Sequence, residues 1–201
     1  LVPDDITDDE AATAYINPLT AILMLDDLEV HPGARVGITA AGSTIGRMLV
    51  RILSARGIEP IAIVRTPRAN HDELREFGEV LLENHALPQL DAGLDAVGGA
   101  VAHSLARAIR PGGSLVHYGL LSGQPLTNPG HAKLKLFRLK DRVNPMSQTQ
   151  FHSAISRCFE EIRQGRARTD VRHRYRVREF RDALTRQSLS QNAGKIILDL
   201  Y

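Results

Sequence analysis

The sequence predicts an α/β protein built on a doubly wound parallel sheet, with helices on both faces. Three observations lead there. Short apolar runs alternate with helical patterns along the first 120 residues. The runs are apolar almost throughout, as strands buried on both faces must be. Glycine or proline marks most of the junctions, at Gly57, Gly78, Gly98-Gly99 and Pro111-Gly112-Gly113.

Taken in order, Asp8-Asp9-Glu10 ahead of an alanine-rich run marks a helix start with acids in its first turn. Asn17-Pro18 restarts a helix with proline at its first position, and Leu19, Ile22, Leu23 and Leu25 carry it to Asp27-Leu28. His31-Pro32-Gly33 is a turn. A strand over 36–39 precedes a helix over 44–56, and a strand over 61–64 precedes a helix over 72–77. Residues 79–82 form a third strand and 94–97 a fourth, followed by a helix over 101–109. Pro111-Gly112-Gly113 turns into a strand over 114–118. Beyond Gly119 the rhythm changes. Residues 122–131 read as loop, and Leu134, Leu136 and Leu139 suggest a strand over 133–139. Helices over 150–164 and 178–188 and a strand over 195–200 complete the chain.

The junction after the first strand is the most informative. It reads Ala40-Ala41-Gly42-Ser43-Thr44-Ile45-Gly46. Small residues between a strand and a helix let backbone approach a phosphate closely, and the helix start then offers free N–H groups to the anion. The stretch A-G-S-T-I-G is a reduced form of the dinucleotide fingerprint G-x-G-x-x-G, in which Gly46 alone keeps its glycine. Read by itself, it also fits an ordinary tight turn. The second strand adds to the case. A free ribose 2′-OH calls for an acid near its end, and a 2′-phosphate calls for a cation. The sequence supplies Arg65-Thr66-Pro67-Arg68 and no acid until Asp72. This favours NADP(H) over NAD(H), against the plainer reading of two solvated arginines.

Composition excludes several classes. The net charge of +2 gives no field of the kind that draws nucleic acid. The absence of Trp also argues against a base-stacking platform. The arginine-dense stretch 166–181 reads as a solvated strand face, with Asp170, Glu179 and Asp182 as nearby acids. The lone Cys158 excludes an internal disulfide or a cysteine zinc site, reads as a buried filler and fits a reducing cytoplasmic setting. No apolar run reaches the ~18 residues of a spanning helix, so no membrane partner is expected. The eight histidines are scattered outside any close metal spacing. Ser43 and Ser122 lack a nucleophile elbow. His117, beside Tyr118 at a strand end, is a candidate for proton exchange, with a satisfied strand histidine the favoured reading.

In order and spacing, several motifs together resemble the medium-chain dehydrogenase/reductase superfamily. They are Asn17-Pro18-Leu19-Thr20-Ala21, the A-G-S-T-I-G turn, Val64-Arg65, Leu94-Asp95-Ala96-Val97-Gly98-Gly99, Tyr118-Gly119 and Gly194-Lys195-Ile196-Ile197-Leu198. The resemblance is to the zinc-independent quinone oxidoreductase and 2-enoyl thioester reductase branch, and it covers essentially the whole chain. It implies a Rossmann-type domain over 1–150 and a C-terminal helix–strand return segment over 151–201. It implies NADPH, a homodimer joined through the strand near 133–139, and hydride transfer to an activated alkene, an enoyl thioester or a quinone. By the same resemblance Asn17 lies near the nicotinamide ribose. Gly42, Ser43, Thr44 and Ile45 form the pyrophosphate turn, and Arg65, helped by Arg68, meets the 2′-phosphate. Tyr118, Gly119, Leu120 and Leu121 flank the nicotinamide, and Lys195 reaches the cofactor. No catalytic residue is carried over.

The chain departs from the family pattern in three places. Asn144-Pro145-Met146 stands where enoyl reductases often have Phe-Trp-Leu. The link over 83–93 is short and lacks the helix expected there. The family's substrate domain, which carries the tyrosine credited with proton donation, is expected ahead of Leu1, and the chain opens without Met. A non-catalytic NADP(H)-binding or scaffold module is the alternative reading.

Overall fold

The computed structural model describes residues 2–66, 71–188 and 194–200. Two helices lead in, α1 (Asp8–Thr13) and α2 (Ile16–Asp27). Thr7 starts α1 with a capping box, its hydroxyl accepting from Glu10 N while the Glu10 carboxylate accepts from Thr7 N. Then follow β1 (Arg35–Ile38), α3 (Thr44–Ala55), β2 (Glu59–Val64), α4 (Asp72–Arg75), β3 (Glu79–Leu82), β4 (Leu90–Asp95), α5 (Gly99–Ala108), β5 (Ile109–His117) and β6 (Lys133–Leu136). These strands form one sheet in the order β3-β2-β1-β4-β5-β6, with every pairing parallel. This is the doubly wound order, with its switch point between β1 and β4.

Alternation along the strands divides the core between the two faces. Val36, Ile38, Ala62, Val64, Leu94 and Val116 join a larger cluster with α2, α3 and α7 (Gln148–Arg163). Ile61, Ile63 and Leu115 join a smaller cluster with Leu105 and Ala106 of α5. Cys158 is fully buried on α7 in the larger cluster, as its filler reading required, and burial pushes its thiol up to about 12.

The differences from expectation are local. The fourth strand runs Leu90–Asp95 rather than 94–97, and it ends where the Asp95 carboxylate accepts from the N–H groups of Val97 and Gly98. The Pro111-Gly112-Gly113 turn is absorbed into β5 as an irregularity in its register with β4. The expected strand over 133–139 stops at Leu136, and a short helix, α6 (Leu139–Val143), takes up the rest. Residues 83–89 hold no helix, as the short link implied. Near the end, β7 (Val171–Arg176) and β8 (Lys195–Asp199) pair parallel in a separate two-stranded sheet, with α8 (Phe180–Ser188) between them in sequence. Part of the arginine-dense stretch is thus a strand face, with Arg174 paired to Asp199 and Asp9.

Candidate functional site

The carboxyl ends of β1 and β4 diverge at the switch point, where open α/β sheets bind ligands. Ala40 leaves β1 in the left-handed region at φ 49°. Ser43 N donates to Ala40 O at 2.9 Å, which closes the turn. Ser43 then caps α3, its hydroxyl accepting from Gly46 N at 3.1 Å. A Cβ on Gly46 would sit 2.6 Å from Ala40 O and 2.7 Å from the Ala41 Cα, so helix and turn are packed backbone to backbone. This is the close-packing role that the fingerprint assigns to its last glycine. Thr44 N and Ile45 N form no hydrogen bond among the described residues. They remain donors at a helix start, where the dipole favours an anion.

A cleft of about 230 Å³ opens at this turn. Gly42, Ser43, Thr44, Arg47 and Arg51 line one side of it, and Arg168 and Lys195 line the other. The C-terminal segment therefore brings Lys195 to the cleft at this turn. The Lys195 ammonium makes no ion pair among the described residues, whereas Arg168 pairs with Glu10 at 2.8 Å. Arg47 Nε donates to Gly42 O at 3.1 Å, and its guanidinium lies 3.3 Å from Glu73 of α4, which also binds Arg51.

On the β4–β5 side the site is a buried carboxylate. Asp95 is fully buried at the end of β4. Its Oδ1 accepts from Thr39 Oγ1 at 2.7 Å and from Val97 N at 3.2 Å. Its Oδ2 accepts from Gly98 N at 2.9 Å and lies 2.7 Å from His117 Nδ1. Thr39 Oγ1 accepts in turn from Ala96 N. One carboxylate thus ties the ends of β1, β4 and β5 to the turn that starts α5. Gly98 at φ 79° leaves no room there for a side chain, since a Cβ would meet Gln124 O at 2.3 Å. His117 is therefore a satisfied strand histidine, the favoured reading.

The remaining candidates lie on several elements. Arg65 is exposed at the end of β2. Its charge lowers the carboxyl of Glu83, although burial is the larger effect and leaves that group raised. The backbone from Tyr118 to Leu121 runs against Ala96, with Tyr118 N on Asp95 O and Leu121 N on Ala96 O. Leu120 and Leu121 are exposed, while the Tyr118 ring packs into the larger core. Burial, reinforced by Asp95, raises its phenol. Asn17 sits half-buried in the first turn of α2, away from the cleft lining. Arg68 lies outside the described residues. Sequence reading passed over Arg47, Arg51, Glu73 and the role of Asp95. The i, i+4 spacing of Arg47 and Arg51 on α3 was the available signal.

No group of three or more His, Cys, Asp or Glu side chains gathers into a metal site among the described residues, and Cys158 is buried in α7. The described residues offer no donor set for a zinc ion, and no helix among them is long and apolar enough to cross a membrane.

Comparison with known proteins agrees with this geometry. A family described as zinc-binding dehydrogenase matches residues 81–198. The chain is 27% identical to a mitochondrial enoyl-[acyl-carrier-protein] reductase of Dictyostelium discoideum, over 99% of this chain and 63% of that protein. It is 31% identical to the Rattus norvegicus protein of the same name, over 91% of this chain and 55% of that protein. It thus spans somewhat more than half the length of these curated relatives. A Bacillus thuringiensis structure assigned as an NADPH:quinone reductase superposes with a TM-score of 0.90 at 25% identity, over all of this chain and 66% of that one. A mycobacterial protein solved with NADPH shares the fold, with a TM-score of 0.82 at 21% identity over 98% of this chain and 66% of that one. The chain belongs to the zinc-binding dehydrogenase family of the medium-chain dehydrogenase/reductase superfamily, together with its quinone oxidoreductases and enoyl reductases.

Proposed function

We propose that this chain is the cofactor-binding part of an NADPH-dependent reductase acting on an activated alkene, an enoyl thioester or a quinone. The observation that carries the reading is the phosphate turn at the switch point. The free N–H groups of Thr44 and Ile45 lie at the turn where a cleft opens, lined by Thr44 together with Arg47, Arg51 and Lys195. The names of the relatives point to the same chemistry.

In this reading residues 42–45 hold the pyrophosphate and Lys195 meets it from the C-terminal segment. Arg65, with Arg68, takes the 2′-phosphate by paired charge-assisted hydrogen bonds. The backbone of residues 118–121, braced on Ala96, walls the nicotinamide, and Asn17 serves its ribose. When bound, the dihydronicotinamide supplies the hydride. The protein supplies orientation: Asp95 fixes the ends of β1, β4 and β5, so the wall cannot drift. Residues 1–150 carry the cofactor and residues 151–201 close the cleft. Two copies join through the open edge of β6, where Leu136 is 75% exposed.

The test is NADPH consumption by the protein with an enoyl thioester, a quinone or an α,β-unsaturated ketone as acceptor. NADPH binding with poor turnover is expected of this chain alone, the part that carries the cofactor. Robust turnover by it would contradict that assignment, and absence of NADPH binding would remove the proposal.

A further inference from the structure

Arg47 and Arg51 stand one turn apart on α3, and both reach the same carboxylate. Arg47 is held from behind by Gly42 O, so its guanidinium is anchored to the phosphate turn itself. The arginine side chains are only 13% and 17% exposed, whereas Glu73 is 38% exposed. Glu73 therefore occupies the solvent side of a fixed pair of guanidiniums. It comes from α4, which is a single turn long. The residue before that turn, His71, lies directly on the phosphate turn, since a Cβ on Gly42 would meet His71 Nε2 at 2.5 Å. Both arginines line the cleft with Gly42, Ser43 and Thr44.

Two guanidiniums converging on one oxyanion also match a phosphate group. The cleft they line also holds Arg168, which pairs with Glu10, and Lys195, which makes no ion pair among the described residues. We propose that Glu73 stands in for a nucleotide phosphate. In the free protein its carboxylate holds Arg47 and Arg51 in place, and a phosphate of the bound dinucleotide takes them over while Glu73 swings to solvent. This rests on the reading of the cleft as the cofactor site. It adds a pair of specificity residues and a competing internal anion to that reading. Binding is then weaker than the cations alone would give, because the phosphate must displace a charge already there.

The experiment is calorimetric titration of NADPH and of NADH into the wild-type chain, Glu73→Gln and Arg51→Gln, with a thermal midpoint for each to show that it is folded. Glu73→Gln removes the competing charge and should tighten binding roughly threefold to tenfold, the scale of one partly exposed ion pair. Arg51→Gln should weaken it by a similar factor. Tightening of NADPH alone would assign the 2′-phosphate to the arginine pair, and equal tightening of both cofactors would assign the pyrophosphate. Unchanged or weaker binding by a folded Glu73→Gln would make the cluster a brace and overturn the proposal. Wild-type protein that binds neither cofactor would instead overturn the cofactor reading beneath it.

Discussion

The two halves of the crevice are built in opposite ways. At the β1–α3 turn the N–H groups of Thr44 and Ile45 make no hydrogen bond among the described residues, and charge gathers at an open cleft. At the β4–β5 edge the structure completes itself, because Asp95 spends both carboxylate oxygens on neighbours inside the fold. The first half is suited to receive an anion, and the second to hold a wall still. Substitutions should therefore act on different observables. Changes at the β4–β5 edge should appear first in stability, and changes at the turn first in ligand affinity.

The largest effect should come from Asp95→Ala. It leaves Thr39, His117 and the Val97 and Gly98 N–H groups without their acceptor in a buried setting. A loss of about 3–5 kcal/mol is expected, as for breaking other buried charged networks. Denaturant unfolding measures it, and a loss below 1 kcal/mol would mean that water replaces the carboxylate without cost. Next comes Gly46→Ala, whose Cβ meets only backbone, at Ala40 and Ala41. Overpacking of that kind costs about 1–3 kcal/mol. Here the turn must also open, so cofactor affinity should fall along with the unfolding midpoint. An unchanged affinity would separate the turn from the binding site. Ser43→Ala should cost about 1 kcal/mol through loss of the α3 cap, and Ser43→Gly only a few tenths. Equal losses for the two would show that the hydroxyl does something besides capping.

The same contrast governs what could be read in the sequence. The alternation of strands and helices and the role of Gly46 were legible, because both are written over a few consecutive residues. Asp95 was visible as part of a motif, but its function was not. Its partners Thr39 and His117 lie 56 and 22 residues away in sequence and meet it only through sheet order. Glu73 lies 26 residues from Arg47 and 22 from Arg51 in sequence, and nothing local links them. The strand over 133–139 was overextended because Leu139 continues an apolar pattern. In the fold that leucine opens α6 and packs on the larger core. Within the arginine-dense segment the strand covers only Val171–Arg176, and Arg168 near the segment's start also lines the cleft.

The central claim is that the open half of the crevice takes NADPH and that Arg65 reads its 2′-phosphate. Titrating NADPH and NADH calorimetrically into wild type and Arg65→Ala tests it most directly. Hydrogen bonds to a charged partner contribute roughly 1.5–3 kcal/mol each. Arg65→Ala should therefore weaken NADPH about tenfold or more, the factor that 1.4 kcal/mol represents, and leave NADH nearly unchanged. Equal losses for the two cofactors, or tighter binding of NADH than of NADPH by the wild-type protein, would contradict the account.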